Sequence, residues 1–265
     1  MRIFQIQLLG DFRLVQGDEP VTSVNTPRLQ ALLAYLALHK DAPVLRQYLA
    51  FQFWPDSSES QARTNLRKLF FQLQRALPDA DRLLLADPQT VGWHTHAHFT
   101  LDVAELRQVL THLKTEPLDL TALRQVVDLY QGPLLPSCYD EWIAPLRQQL
   151  HQAVMDALKR LITLLENQRA YGAGIRYAQR LLAFDPLEEK TYQRLMRLYA
   201  LDGDYTSALR VYQDCVAMLQ RELEVDPDPE TQVLYERLRQ RGGELALKAE
   251  EKPRQAERLP LIGRQ

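Results

Sequence analysis

The sequence predicts a mainly α protein with a small β component: an N-terminal mixed domain followed by an all-α repeat domain. Three observations carry this. Residues 57–77, SSESQARTNLRKLFFQLQRAL, show helical periodicity with apolar and basic residues on opposite faces. Apolar runs bounded by turn signals lie near the N-terminus and again at 83–93, with helical patterns between them. A 34-residue period links positions 164–176 to 198–210.

At 265 residues the chain is long enough for two domains, each with its own core. The net charge of −2 advertises no nucleic-acid partner. Residues 1–100 hold ten of the 32 Lys and Arg and nine of the 34 Asp and Glu, so any affinity for DNA must come from a local patch. Cys138 and Cys215 form no metal-ligand spacing. The N-terminus MRIFQIQLLG has no secretory pattern, and no apolar run reaches membrane length. These features predict a cytoplasmic protein with no membrane partner.

Each element has a local reason. Ile3, Ile6 and Leu8, then Phe12, Leu14 and Val15, read as strands turning at Gly10-Asp11 and Gly17-Asp18. Thr26 before Pro27 is a helix start, and Leu29, Leu32, Leu33, Leu36 and Ala37 give that helix its apolar stripe. A second helix over 46–53 carries Leu49, Ala50 and Phe53, and Trp54-Pro55-Asp56 stops it. The basic helix follows, with Ser58 and Gln61 placed for a capping box. Its inward face holds Ala62, Leu66, Leu69, Phe70, Leu73 and Leu77. Beyond it, 83–85 and 91–93 flank Asp87-Pro88-Gln89 as a hairpin.

A small sheet, three helices and a terminal hairpin is the order of a winged helix-turn-helix. In TPRLQALLAYLAL, FWPD and ARTNLRKLFFQLQRAL, residues 1–98 resemble the winged-helix output domain of bacterial response regulators. The remainder is helical. Leu164/Leu198, Tyr171/Tyr205, Ile175/Leu209 and Arg176/Arg210 repeat at 34 residues, with small Gly174 and Ala208 also in register. This is the tetratricopeptide (TPR) period of stacked helix pairs.

A second resemblance covers residues 99–240. YQGPLLPSCYDEWIAPLRQQL, LLAFDPLEEKTYQRLMRLYALDGDYTSALRVYQDC and LQRELEVDPDPETQVLYERL are similar to the bacterial transcriptional activator domain, which follows a winged helix in SARP-type regulators. The resemblance implies a transcriptional activator. Its helical domain would mediate self-association, as a homodimer on tandem direct-repeat sites, or contact RNA polymerase or other regulator parts. Residues 241–265 read as a charged, Pro-punctuated linker. The final LPLIGR resembles the entry to a signalling NTPase module, so a further C-terminal module is expected.

The candidate site is the outward face of the basic helix. Arg63, Arg67, Lys68 and Arg75 lie in a stretch, 60–77, with no acidic residue. Such a helix, packed on one side and cationic on the other, suits the major groove of duplex DNA. Arg67, Lys68 and Arg75 fit phosphates or guanine edges, and Thr64 is small enough to meet a base or sugar. Arg63, at the edge of the face, pairs with Asp56 or with a phosphate. Phe71 presses on thymine methyls or the sugar wall, or packs on the wing or a neighbouring subunit. Arg28, at a helix start, meets a phosphate with help from the helix dipole, or is a solvated surface arginine. The wing around Pro88 is expected to approach the minor groove or backbone.

Other motifs read as structural. His94, His96 and His98 would share one face of a strand, but no Cys, Asp or Glu nearby completes a zinc site. The carboxylates from Glu222 to Glu230 surround two Asp-Pro steps that make a rigid turn before a helix. Trp142 is expected to plug the first helical repeat into its neighbours. No phosphate loop, nucleophile elbow or HExxH motif occurs. The expectation is therefore no enzyme, no cofactor and no metal. Two alternatives stand beside a DNA-binding regulator: a helical interaction module whose winged helix has lost DNA binding, and the N-terminal fragment of a signalling ATPase.

Overall fold

A computed structural model describes residues 3–94 and 97–256, with 245–256 described by backbone alone. The chain packs as two compact units, Met1–Ala157 and Leu158–Gln265.

In the first unit, β1 (Phe4–Gln7), β2 (Arg13–Gln16), β3 (Glu19–Pro20) and β7 (Phe99–Leu101) form a sheet in the order β3-β2-β1-β7. β1 runs antiparallel to β2, with Ile6 opposite Leu14, and parallel to β7, with Phe4 opposite Phe99. Phe4 and Ile6 are buried while Gln5 and Gln7 are exposed, the alternation of a half-covered strand. Gly10 turns the chain with φ 94°.

Helix α1 (Pro27–Leu38) starts as its sequence requires: the Thr26 hydroxyl accepts from Leu29 N at 3.3 Å, and Pro27 opens the first turn. Its predicted stripe, Leu29, Leu32, Leu33, Leu36 and Ala37, is buried. β4 (Val44–Leu45) leads into α2 (Arg46–Phe53), which buries Leu49, Ala50 and Phe53 and stops before Pro55. Helix α3 (Glu59–Ala76) follows, then the short α4 (Ala80–Leu83). The hairpin of β5 (Leu84–Ala86) and β6 (Thr90–Trp93) pairs Leu84 with Trp93, and β4 joins it in the order β4-β6-β5. This is the winged helix-turn-helix that the sequence predicts.

The first unit continues beyond the wing through α5 (Asp102–Thr115), α6 (Leu120–Leu129), a 3-10 turn (Glu141–Ile143) and the start of α7 (Ala144–Asn167). The Asp102 carboxylate accepts from Leu8 N and Leu9 N, both at 2.8 Å. After α6, Pro133 O accepts from Gly10 N and Leu8 O from Leu135 N. Leu135 holds a left-handed φ of 40°, which is costly for a branched side chain. The Arg147 guanidinium braces that bend by donating to the carbonyls of Leu134, Leu135 and Cys138 at 2.7–2.8 Å. Trp142, expected to plug the first helical repeat into its neighbours, makes its ring contacts with α1 and α2. It stacks on Phe53 at 6.2 Å and meets Tyr35 edge-on at 4.9 Å, because the bend at 132–140 brings it to the aromatic ends of α1 and α2.

In the second unit, α8 (Tyr171–Phe184), α9 (Glu189–Leu201), α10 (Tyr205–Leu223) and α11 (Pro229–Ala256) follow the end of α7. The 34-residue period holds at the level of elements. α7 ends at Asn167 and α9 at Leu201; α8 begins at Tyr171 and α10 at Tyr205. The left-handed turn residues, Arg169 and Gly203, keep the same offset. Gly174 and Ala208 are both buried, and a Cβ on Gly174 would meet Leu198 at 3.4 Å.

Two expectations need correction. The linker expected from residue 241 is helical to Ala256, as the continuation of α11. Gly242 does not break it: a Cβ there would come within 3.2 Å of Tyr205, so this glycine marks a close helix approach. Residues 257–265, including LPLIGR, lie outside the described residues. Nor do His94 and His98 lie in a strand. β6 ends at Trp93, Ala97 N donates to His94 O in a turn, and β7 begins at Phe99. His96 lies outside the described residues. No described helix is long and apolar enough to cross a membrane.

Candidate nucleic-acid interface

The sequence of α3 separates its two faces cleanly. Ala62, Leu66, Leu69, Phe70 and Leu73, with the capping residue Leu77, are all buried as predicted. The Ser58 hydroxyl accepts from Gln61 N at 3.4 Å, but Gln61 turns its amide to Asn65 Oδ1, so only half of a capping box forms.

The opposite face is solvent-facing and cationic. Arg67, Lys68 and Arg75 are exposed, and Arg67 and Lys68 make no ion pair among the described residues. Arg63 pairs with Glu59 one turn earlier at 2.6 Å rather than with Asp56. The Thr64 hydroxyl donates back to Ser60 O, and the residue is half-buried. Phe71 is 59% exposed, and Arg75 lies over its ring at 5.8 Å. Arg28 is engaged within its own unit. Its guanidinium bonds both oxygens of Asp140 at 2.7 Å and Phe53 O at 3.1 Å, and it lies over Phe53 and Trp54. That arrangement suits a structural clasp better than a phosphate contact.

A residue outside the sequence-based set joins the site. Between the start of α2, the first half of α3 and the wing turn lies an open cleft of about 800 Å³, lined by Arg46, Gln47, Arg63, Arg67 and residues 86–89, among others. Arg46 Nε donates to Asp87 O at 2.8 Å, and Arg46 N donates to Gln89 O at 2.8 Å. Its guanidinium lies 5.4 Å from the centre of the Phe70 ring. Burial lowers the Arg46 pKa; Asp87 opposes that effect and Arg67 adds to it. One sequence signal pointed to Arg46: it is a cation in the first turn of a helix with no acid there, against the helix dipole.

The wing turn is rigid. The Asp87 carboxylate accepts from Gln89 N, Thr90 N and the Thr90 hydroxyl at 2.6–2.7 Å, and these bonds hold it below the usual carboxylate range. Residues 84–93 contain no Lys or Arg.

Comparison with known proteins agrees with this architecture. The model of the bacterial transcriptional activator domain matches residues 101–239, just over half of the chain. Regulatory protein AfsR of Streptomyces coelicolor is 25% identical over 247 residues, covering 90% of this chain and 24% of AfsR. Transcriptional regulatory protein EmbR of Mycobacterium tuberculosis is 27% identical over 259 residues, covering 87% of this chain and 62% of EmbR. The chain thus spans about a quarter of one relative and under two thirds of the other. A solved structure of M. tuberculosis EmbR with a low-affinity phosphopeptide superposes with a TM-score of 0.61 at 22% identity, over 91% of this chain and 66% of that one, and so shares its fold. With a winged helix ahead of the matched helical segment, the chain belongs to the bacterial transcriptional activator domain family, in the arrangement of SARP-type transcriptional regulators.

Proposed function

We propose that this protein is a cytoplasmic, non-enzymatic activator that binds specific duplex DNA by inserting α3 into the major groove. One observation carries the reading: α3 buries every apolar residue of its inward face while Arg67, Lys68 and Arg75 stand exposed on the other. A helix of this shape fits the major groove, and its cations have phosphates and guanine edges within reach there. Residues 1–98 supply the reading head. Residues 99–240 hold two copies on tandem half-sites or present a surface to RNA polymerase. The similarity to the regulatory proteins AfsR and EmbR supports the assignment.

The test is charge removal on the outward face. Arg67→Ala combined with Lys68→Ala is expected to weaken binding to a duplex recovered by selection from random sequences, without unfolding the protein. If both residues meet phosphates, the slope of log affinity against log salt falls by roughly one per residue. A folded double variant with unchanged affinity and slope would refute the assignment and leave the helical interaction module as the better account.

A further inference from the structure

In this fold a wing is expected to reach the DNA itself, yet this wing carries no Lys or Arg in residues 84–93, and its one charged group there is Asp87. That carboxylate is turned into the wing's own donors, Gln89 N, Thr90 N and the Thr90 hydroxyl. What the turn offers outward is backbone carbonyl, and it uses two of these to hold one cation from elsewhere: Asp87 O accepts from Arg46 Nε, and Gln89 O from Arg46 N. Phe70 floors the Arg46 guanidinium from the α3 side. The side chain is thus fixed from two sides.

Arg67 lines the same cleft and interacts electrostatically with Arg46. Two arginines lining one cleft repel one another, and an anion between them relieves that repulsion. The third arginine of the cleft, Arg63, already has its counter-ion in Glu59. The Arg46 hydrogen bonds to the wing use Nε and the backbone N, and the Nη1–Nη2 edge of its guanidinium makes no hydrogen bond among the described residues. A planar guanidinium with both Nη groups available suits a tetrahedral phosphate.

We propose that Arg46 and Arg67 form a cradle for a single backbone phosphate of duplex DNA, with the wing turn serving as the scaffold that aims Arg46. This rests on the DNA-binding reading above and deepens it. The wing contributes to affinity through the arginine it positions, and the contact carries no sequence information. Phosphate gripped here would set the register with which α3 enters the groove.

The experiment uses the full chain and a selected duplex in which each phosphate near the site is replaced, one at a time, by a neutral methylphosphonate. Wild type is expected to lose roughly 10-fold or more in affinity at one position, the scale of a charge-assisted hydrogen bond. Arg46→Ala and Arg67→Ala should each weaken binding to the unmodified duplex and lose their sensitivity at that same position, while base preference is unchanged. Arg46→Lys keeps the charge and should recover part of the sensitivity. Thermal unfolding checks that each variant is folded; if Arg46→Ala is not, Arg46→Lys and Arg67→Ala carry the test. Should wild type bind and each folded variant keep the full wild-type pattern of sensitivity, the cradle is overturned and the DNA-binding reading stands. Should wild type show no selective binding to any duplex, the functional reading fails first.

Discussion

Leu69 sits on the inward face of α3 with 6% of its surface exposed, and α3 packs on α1 and α2. Leu69→Ala removes buried methyl groups and leaves a cavity, so it should cost roughly 2–5 kcal/mol in urea unfolding. A loss below about 1 kcal/mol would mean that the helix is rotated or loosely packed. The inward and outward faces of α3 were legible because helical period alone sorts them. Pairings were less so. The partner of Arg63 is Glu59, four residues away, which period also makes available, whereas the sequence reading offered Asp56 or a phosphate. The partner of Arg28 is Asp140, 112 residues away, and no local rule could reach it.

At the scale of elements, helix ends follow local chemistry most closely. Asp204 caps α10, and its carboxylate accepts from Ser207 N at 2.9 Å. The Ser207 hydroxyl and N–H together hold the Asp204 pKa below its ordinary value of 3.8. A depressed acid stabilises the fold above its unfolded-state pKa, and that contribution is lost as pH falls through the folded-state value. Asp204→Ala should therefore lower the melting temperature at neutral pH, and the gap from wild type should begin to narrow as the pH falls below 3.8 and shrink further through the lower folded-state pKa. A gap of constant size across that range would show that the charge contributes nothing. α11 went the other way: Gly242-Gly243 and the charged stretch behind it looked like a linker, yet the backbone is helical to Ala256. Composition cannot tell a glycine that breaks a helix from one that lets Tyr205 pack against it.

At the scale of the whole molecule, the first unit closes far beyond the wing. Without residues after 98, β1 loses β7 as a neighbour, Leu8 N and Leu9 N lose Asp102, and Tyr35 and Phe53 lose Trp142. Unsatisfied strand donors and an uncovered aromatic cluster are expensive. A fragment of residues 1–98 should accordingly unfold at a lower temperature, and less cooperatively, than one of residues 1–157. Equal midpoints in calorimetry would show that the later segment is an accessory.

The sequence by itself determined the element order, the buried stripes of α1 and α3, the helix caps and the 34-residue repeat, because each follows from interactions within a few residues or a single period. It also carried the family, through segments long enough to be matched. Only the tertiary structure decided that Arg28 is clasped by Asp140, that Trp142 serves α1 and α2, and that Arg46 lines one cleft with Arg67 while the wing holds it in place. Those contacts join residues tens of positions apart, and their geometry exists only once the sheet, the three helices and the bend at 132–140 have closed on one another.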